Sequence, residues 1–128
     1  MLSEHQLIKI YKEIQPHFVL TGDVDGYAGL FTDDAVWWPL GRPTRIGPQQ
    51  IGKGFAEVVA GTRIVAVFDA VDLIVCGNFG RVALLGTETI AYDNGDPTQI
   101  AHSREVWEFR DVDGQAKISR MLWNSSVD

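Results

Sequence analysis

From Thr62 onward the chain consists of β-branched and aromatic runs, broken at Gly77-Asn78-Phe79-Gly80, Asp93-Asn94-Gly95 and Asp111-Val112-Asp113-Gly114. Short breaks rich in Gly, Asn and Asp between such runs are hairpin signals, and the spacing predicts four antiparallel strands over about 63–76, 81–92, 98–110 and 115–126, joined consecutively. A meander of this length has one face to bury, and the residues before it must supply the cover.

Those residues read as helices. Ser3 and Gln6 have capping-box spacing, and Leu7, Ile10, Ile14 and Phe18 follow at helical intervals, predicting a first helix from Glu4 to Leu20 with a kink at Pro16. Gly22 is a natural stop, and Asp23 caps a short second helix holding Val24, Tyr27, Leu30 and Phe31. The stretch from Ala35 is β-rich until Pro39, and Gly41 to Pro48 is a loop. Pro48 suits the first turn of a third helix running to about Ala60, with Ile51, Phe55 and Val58 on one side. Helices first and a meander last give an α+β fold: one domain spanning residues 1–128, a curved antiparallel sheet with helices packed on its concave face.

Composition narrows the partners. A chain of 128 residues can bury a core without disulfides, and four Trp, six Phe and three Tyr suffice to line a ligand cavity as well. With eleven Lys and Arg against seventeen acids and a net charge of −6, the chain lacks the basic surface that nucleic acid requires. Cys76 is the only cysteine, so no internal disulfide forms. No segment approaches the ~18 apolar residues of a membrane span, and Glu4, His5 and Gln6 stand where a signal peptide is apolar, so no membrane partner and a cytoplasmic location are expected.

The misfits lie inside the strands. Alternation places Ala101, Ser103, Glu105, Trp107 and Phe109 on one face, opposite Ile100, His102, Arg104 and Val106. The first face reads as buried, yet it carries Glu105. The preceding strand groups Val82, Leu84, Gly86, Glu88, Ile90 and Tyr92, and Glu88 is again the exception unless a slip or bulge after Gly86 turns it to solvent. On the last strand either Ile118, Arg120, Leu122 and Asn124 or Lys117, Ser119, Met121 and Trp123 face inward, and the first choice brings Arg120 to the two glutamates. Two carboxyls and a guanidinium in an apolar cavity suit acid–base chemistry on a small organic molecule. They also suit a buried ion-pair network that fixes strand register. His17, three residues after Ile14 on the apolar side of the first helix, either reaches the cavity or is a core or rim histidine. The three histidines lack metal-ligand spacing, and the chain contains neither a nucleophile elbow nor a phosphate loop.

Several local patterns carry a family resemblance: Gly22-Asp23-Val24-Asp25-Gly26 leading to Leu30-Phe31-Thr32-Asp33-Asp34-Ala35, then Pro39-Leu40-Gly41, Ile46-Gly47-Pro48-Gln49-Gln50-Ile51, and Val106-Trp107-Glu108-Phe109 before Asp113-Gly114. In these the chain resembles the nuclear-transport-factor-two-like superfamily, the cone-shaped group that includes ketosteroid isomerases and SnoaL-like polyketide cyclases. The resemblance implies a deep pocket between the sheet and the first helix, and a homodimer formed through the outer sheet face. The isomerase proton-abstracting carboxylate falls at Trp38, the pocket tyrosine of the first helix at Gln15, and the neutral acid that stabilises an oxyanion at Glu105. The acid that the cyclases carry on their last strand has no counterpart, since no acid lies between Lys117 and Ser126.

The expected protein is therefore an isomerase or lyase working without cofactor or metal on a small apolar carbonyl or hydroxyl compound. Glu105, Glu88 and His17 are its acid–base candidates. Gln15, Phe18, Trp38, Tyr92, Trp107, Phe109, Arg120 and Asn124 are expected around the ligand. The alternative is a ligand-binding or dimeric assembly module of the same fold without turnover.

Overall fold

The computed structural model describes residues 1–127. Its first helical run begins as anticipated: Ser3 Oγ accepts the backbone N–H of Gln6 while the Gln6 side chain accepts that of Ser3. Helix α1 (Glu4–Lys9) passes through a π-helical turn (Ile10–Ile14) into α2 (Gln15–Thr21), and the Gln15 N–H bonds Ile10 O, five residues back. The irregularity expected at Pro16, which lacks an N–H, is thus absorbed one turn earlier as a widened turn. This shifts the helical phase. Leu7, Tyr11, Gln15 and Val19, four apart, are buried together with Ile10, and His17 is turned out to solvent.

Gly22 ends α2 in the left-handed region, and the Asp23 carboxylate accepts the Gly26 N–H at 2.9 Å to cap α3 (Val24–Ala28). Leu30 and Phe31, expected in this helix, lie beyond it, and Phe31 opens β1 (Phe31–Trp38). A two-residue β2 (Arg45–Ile46) leads to α4 (Gly47–Val59), with Pro48 in its first turn. Then come β3 (Thr62–Cys76), β4 (Phe79–Tyr92), β5 (Gln99–Val112) and β6 (Gln115–Ser125), the four predicted strands with ends moved by one or two residues.

Among the described residues these strands form a curved, unclosed α+β sheet in the order β2-β1-β6-β5-β4-β3. All neighbours are antiparallel except β1 and β6, which run parallel because β1 returns from the helical layer to the far side of the meander. Helices cover one face, and the core between the layers is aromatic. Tyr27 stacks on Phe55 with centroids 3.9 Å apart, and Trp37 meets Trp123 edge to face at 5.3 Å. Gly54, in the middle of α4, is required by this packing: a Cβ there would lie 2.5 Å from the Trp37 ring.

The two candidate faces of β6 are both wrong as complete sets, because a bulge interrupts the strand. Glu108 pairs with Arg120 and Phe109 with Ile118, leaving Ser119 as the extra residue. Ile118, Met121 and Trp123 therefore face the helices, while Arg120, Leu122 and Asn124 face outward. Arg120 stands opposite Glu108 on the outer face and donates to its neighbour's carbonyl, Ser119 O, at 2.7 Å. The expected glutamate–arginine–glutamate network is not formed. Pairing of β4 with both neighbours is unbroken between Gly86 and Glu88, so Glu88 keeps the inward face.

Candidate functional site

The inward faces of β3 to β6, the end of β1 and the helices enclose a cavity. From the helices come Gln15, Val19, Tyr27, Phe55 and Val58, and from β1 Trp37. The sheet contributes Ile64, Ala66, Phe68, Glu88, Glu105, Met121 and Trp123. Its volume is about 40 Å³ for the centres of water-sized molecules, room for a few waters or one small ring. Glu105 is almost fully buried and Glu88 half-buried. No Lys, Arg or His lines this cavity.

Glu105 is held from both sides along its own strand. Ser103 Oγ donates to its Oε2 at 2.8 Å and Trp107 Nε1 donates to its Oε1 at 2.9 Å, the neighbours two residues away on the same face. Gly86 makes the Ser103 contact possible. A Cβ at Gly86 would lie 2.4 Å from Ser103 Oγ and 2.9 Å from the Phe68 ring, so only a glycine opposite Ser103 leaves room for the hydroxyl.

Burial pushes the Glu105 carboxyl from 4.5 to about 7, because a charged carboxylate loses its hydration in this apolar setting. The hydrogen bonds from Trp107 and Ser103 oppose that rise, and the charge of Glu88 adds to it. Glu88 is also raised, by burial. Tyr27 is kept in its neutral form chiefly by burial, its hydroxyl accepting from Trp37 Nε1 at 3.1 Å and donating to Met121 Sδ at 3.4 Å. Two of the four lone-pair sites on the Glu105 carboxylate are used by protein donors, leaving the others for a ligand. The arrangement is thus a carboxyl half-protonated near neutrality in an aromatic cavity, with a second carboxyl in the same lining.

Several residues expected around the ligand stand elsewhere. His17 is exposed, Trp38 is 42% exposed while its neighbour Trp37 lines the cavity, and Arg120 and Asn124 are on the outer face. Asn124 Oδ1 accepts from Arg104 Nε at 3.3 Å. Tyr92 ends β4 with its hydroxyl donating to Gln99 at 2.7 Å, and Phe18 packs beside α3 without reaching the cavity. Trp107 and Phe109 are buried behind the lining, where Trp107 acts on the cavity through Glu105. Gln15, Glu88 and Glu105 are the expected residues that do line it.

Sequence reasoning missed Trp37, Tyr27, Phe68, Met121 and Trp123. The run from Ile64 to Phe68 is apolar at every position, so alternation is silent there, and the bulge at Ser119 hides Met121 and Trp123. A signal for Trp37 existed in Gly54, a mid-helix glycine that needs a large neighbour to explain it. Among the described residues no group of His, Cys, Asp and Glu converges to hold a metal ion, and no helix is long and apolar enough to cross a membrane.

Comparison with known proteins places the chain. A SnoaL-like domain profile matches residues 16–121, so the chain belongs to the SnoaL-like family. Its α+β fold is similar to that of nuclear transport factor 2-like and ketosteroid isomerase-like proteins. Similar solved structures include a ketosteroid isomerase-like protein from Erwinia carotovora atroseptica, with 15% identity, 99% of this chain and 100% of that one covered, and a TM-score of 0.83. Aln2 from a Streptomyces species has 16% identity, 98% and 94% coverage and a TM-score of 0.83. A nuclear transport factor 2-like superfamily protein from Salmonella enterica serovar Typhimurium has 16% identity, 90% and 85% coverage and a TM-score of 0.79. No curated protein matches the sequence. Identities this low establish the fold and leave the reaction open.

Proposed function

We propose that this chain is a cofactor-independent acid–base enzyme, of the isomerase or lyase kind, acting on a small and largely apolar carbonyl or hydroxyl compound. One observation carries the reading: Glu105, buried in an aromatic cavity and poised to titrate near neutrality, is matched to proton transfer at physiological pH. Glu88 is the partner, in place of the solvent-facing His17. Being closer to solvent, Glu88 ionises first, and its charge helps to keep the proton on Glu105. With Glu88 ionised and Glu105 still protonated, the pair offers a carboxylate to abstract a proton and a neutral acid to donate to the developing enolate oxygen. As Glu105 gains or shares its proton, the Ser103 hydroxyl can rotate from donor to acceptor without loss of the contact.

The test does not require the natural substrate. Small cyclic ketones and β-hydroxyketones incubated in D2O are followed by proton NMR for exchange at the α-carbon. Exchange catalysed by the wild type, abolished in Glu105→Gln and retained in His17→Ala, supports the reading, and exchange unaffected by Glu105→Gln overturns it.

The outer sheet face supports a second part of the proposal, a homodimer. Ala83 pairs with Val106, Val106 with Leu122 and Leu122 with Trp38, giving an apolar row in register across four strands. Val106, Leu122 and Trp38 are 36%, 45% and 42% exposed. A second copy covering this row would remove that apolar surface from water. The same row would serve a non-catalytic assembly module, the reading that remains if Glu105 has no role in turnover.

A further inference from the structure

Gln15 carries an unusual burden. It is 5% exposed, lines the cavity from the first turn of α2, and its Oε1 has no hydrogen-bond partner, alone among the buried side-chain oxygens and nitrogens of the described residues. Buried acceptors are rarely left in this state, and each one calls for an explanation. Two donors of the lining are spent elsewhere. The Tyr27 hydroxyl donates to Met121 Sδ, and Trp37 Nε1 donates to Tyr27 Oη. The remaining side-chain polar atoms of the lining are the carboxyl oxygens of Glu88 and Glu105, which become pure acceptors when ionised, and the indole N–H of Trp123. A cavity whose polar atoms are mostly acceptors, that contains no basic side chain and is walled by Trp37, Phe68 and Trp123 has a definite preference. It disfavours anions and asks its ligand for a hydrogen-bond donor on an apolar frame.

We propose that Gln15 is a specificity-determining residue whose Oε1 accepts a hydrogen bond from a ligand hydroxyl, so that the site selects small uncharged alcohols, phenols or enols over the corresponding ketones, ethers and carboxylates. This rests on the cavity's being the ligand site, as in the function proposed above, and narrows the substrate from a carbonyl or hydroxyl compound to one that presents a hydroxyl to α2. It does not require turnover.

The experiment is a binding comparison with cyclopentanol and cyclopentanone, read from the indole N–H signals of Trp37 and Trp123 in protein labelled with nitrogen-15 at tryptophan. Titrations are run at about pH 5.5 and about pH 8.5, on either side of the Glu105 transition. The wild type is expected to bind the alcohol about tenfold more tightly at both pH values, the gain of one satisfied buried acceptor. Gln15→Met, which keeps the volume and removes the acceptor, is expected to bring the two ligands near parity. A ketone bound as tightly as the alcohol overturns the assignment, and so does a ratio preserved in Gln15→Met. A wild-type preference that reverses between the two pH values transfers the discrimination to Glu105 and also overturns it, a result available even if the variant does not fold. Binding of neither compound means that water alone meets the needs of Gln15, and the proposal fails. An alcohol preference without any α-proton exchange would retain this proposal while removing the enzymatic reading, so the two fail separately.

Discussion

Replacing Glu105 by Gln should change how stability responds to pH, and the size of the change follows from the site. Glu105 has a folded-state pKa of about 7 against an ordinary value of 4.5, with burial as the main cause. Below about pH 4.5 the carboxyl is protonated in both folded and unfolded chains and makes no difference. Between about 4.5 and 7 the unfolded chain releases its proton while the folded protein retains it, so stability falls as pH rises. Above 7 both are ionised and the loss is complete. At ~1.4 kcal/mol for each tenfold change in proton affinity, the rise from 4.5 to about 7 corresponds to roughly 3 kcal/mol. Gln is uncharged at every pH, fits the same space, and can still accept from Trp107. Urea unfolding of both proteins at intervals from about pH 4 to pH 8 isolates the effect. The wild type should lose roughly 3 kcal/mol relative to Glu105→Gln over that range, most of it between about 4.5 and 7. A difference that is flat with pH, or a wild type that gains on the variant as pH rises, would refute the argument. It would mean that the hydrogen bonds from Ser103 and Trp107 outweigh burial.

Two further consequences concern the surroundings of the site. Gly86→Ala puts a methyl group 2.4 Å from Ser103 Oγ, which must swing away from Glu105, and 2.9 Å from Phe68; a loss of about 1–3 kcal/mol in urea unfolding is expected, with Glu105 titrating higher than in the wild type. On the outer face, Val106→Lys places a charge in the middle of the apolar row, and sedimentation velocity should show a wild-type dimer converted to monomer with thermal stability of the monomer fold retained.

How much of this is legible in the sequence differs between strands and helices. The meander, the three hairpin breaks and the inward placement of Ser103, Glu105, Trp107 and Phe109 follow from strict period-two alternation, which β5 keeps from Ala101 to Phe109. The same rule fails on β6, because the bulge at Ser119 inserts one residue and exchanges the faces partway along. Alternation therefore leaves two faces open, each wrong as a complete set, and the choice that brings Arg120 and Asn124 to the cavity turns Met121 and Trp123 away from it. In the first helix the π-helical turn before Pro16 adds a residue in the same manner, and helical periodicity carries His17 to the wrong side. Trp38, placed at the ligand by the family resemblance, is a third one-residue miss, since on β1 it is Trp37 that lines the cavity. The misses on β6 and in the first helix share a physical origin: one extra backbone residue, invisible to periodicity, turns every side chain after it. Glu105 is legible because its strand contains no such residue within reach.

The proposed chemistry stands on the state of one carboxyl, and a carboxyl-carbon NMR titration of glutamate-labelled protein, assigned with Glu105→Gln, measures it directly. A Glu105 midpoint near 7, well above the ordinary 4.5, is the predicted result and marks an acid kept in reserve by a dry cavity. A midpoint at or below 4.5 would contradict the account, because it would make Glu105 an ionised carboxylate satisfied by Ser103 and Trp107, a structural clasp within β5 rather than a group prepared to move a proton.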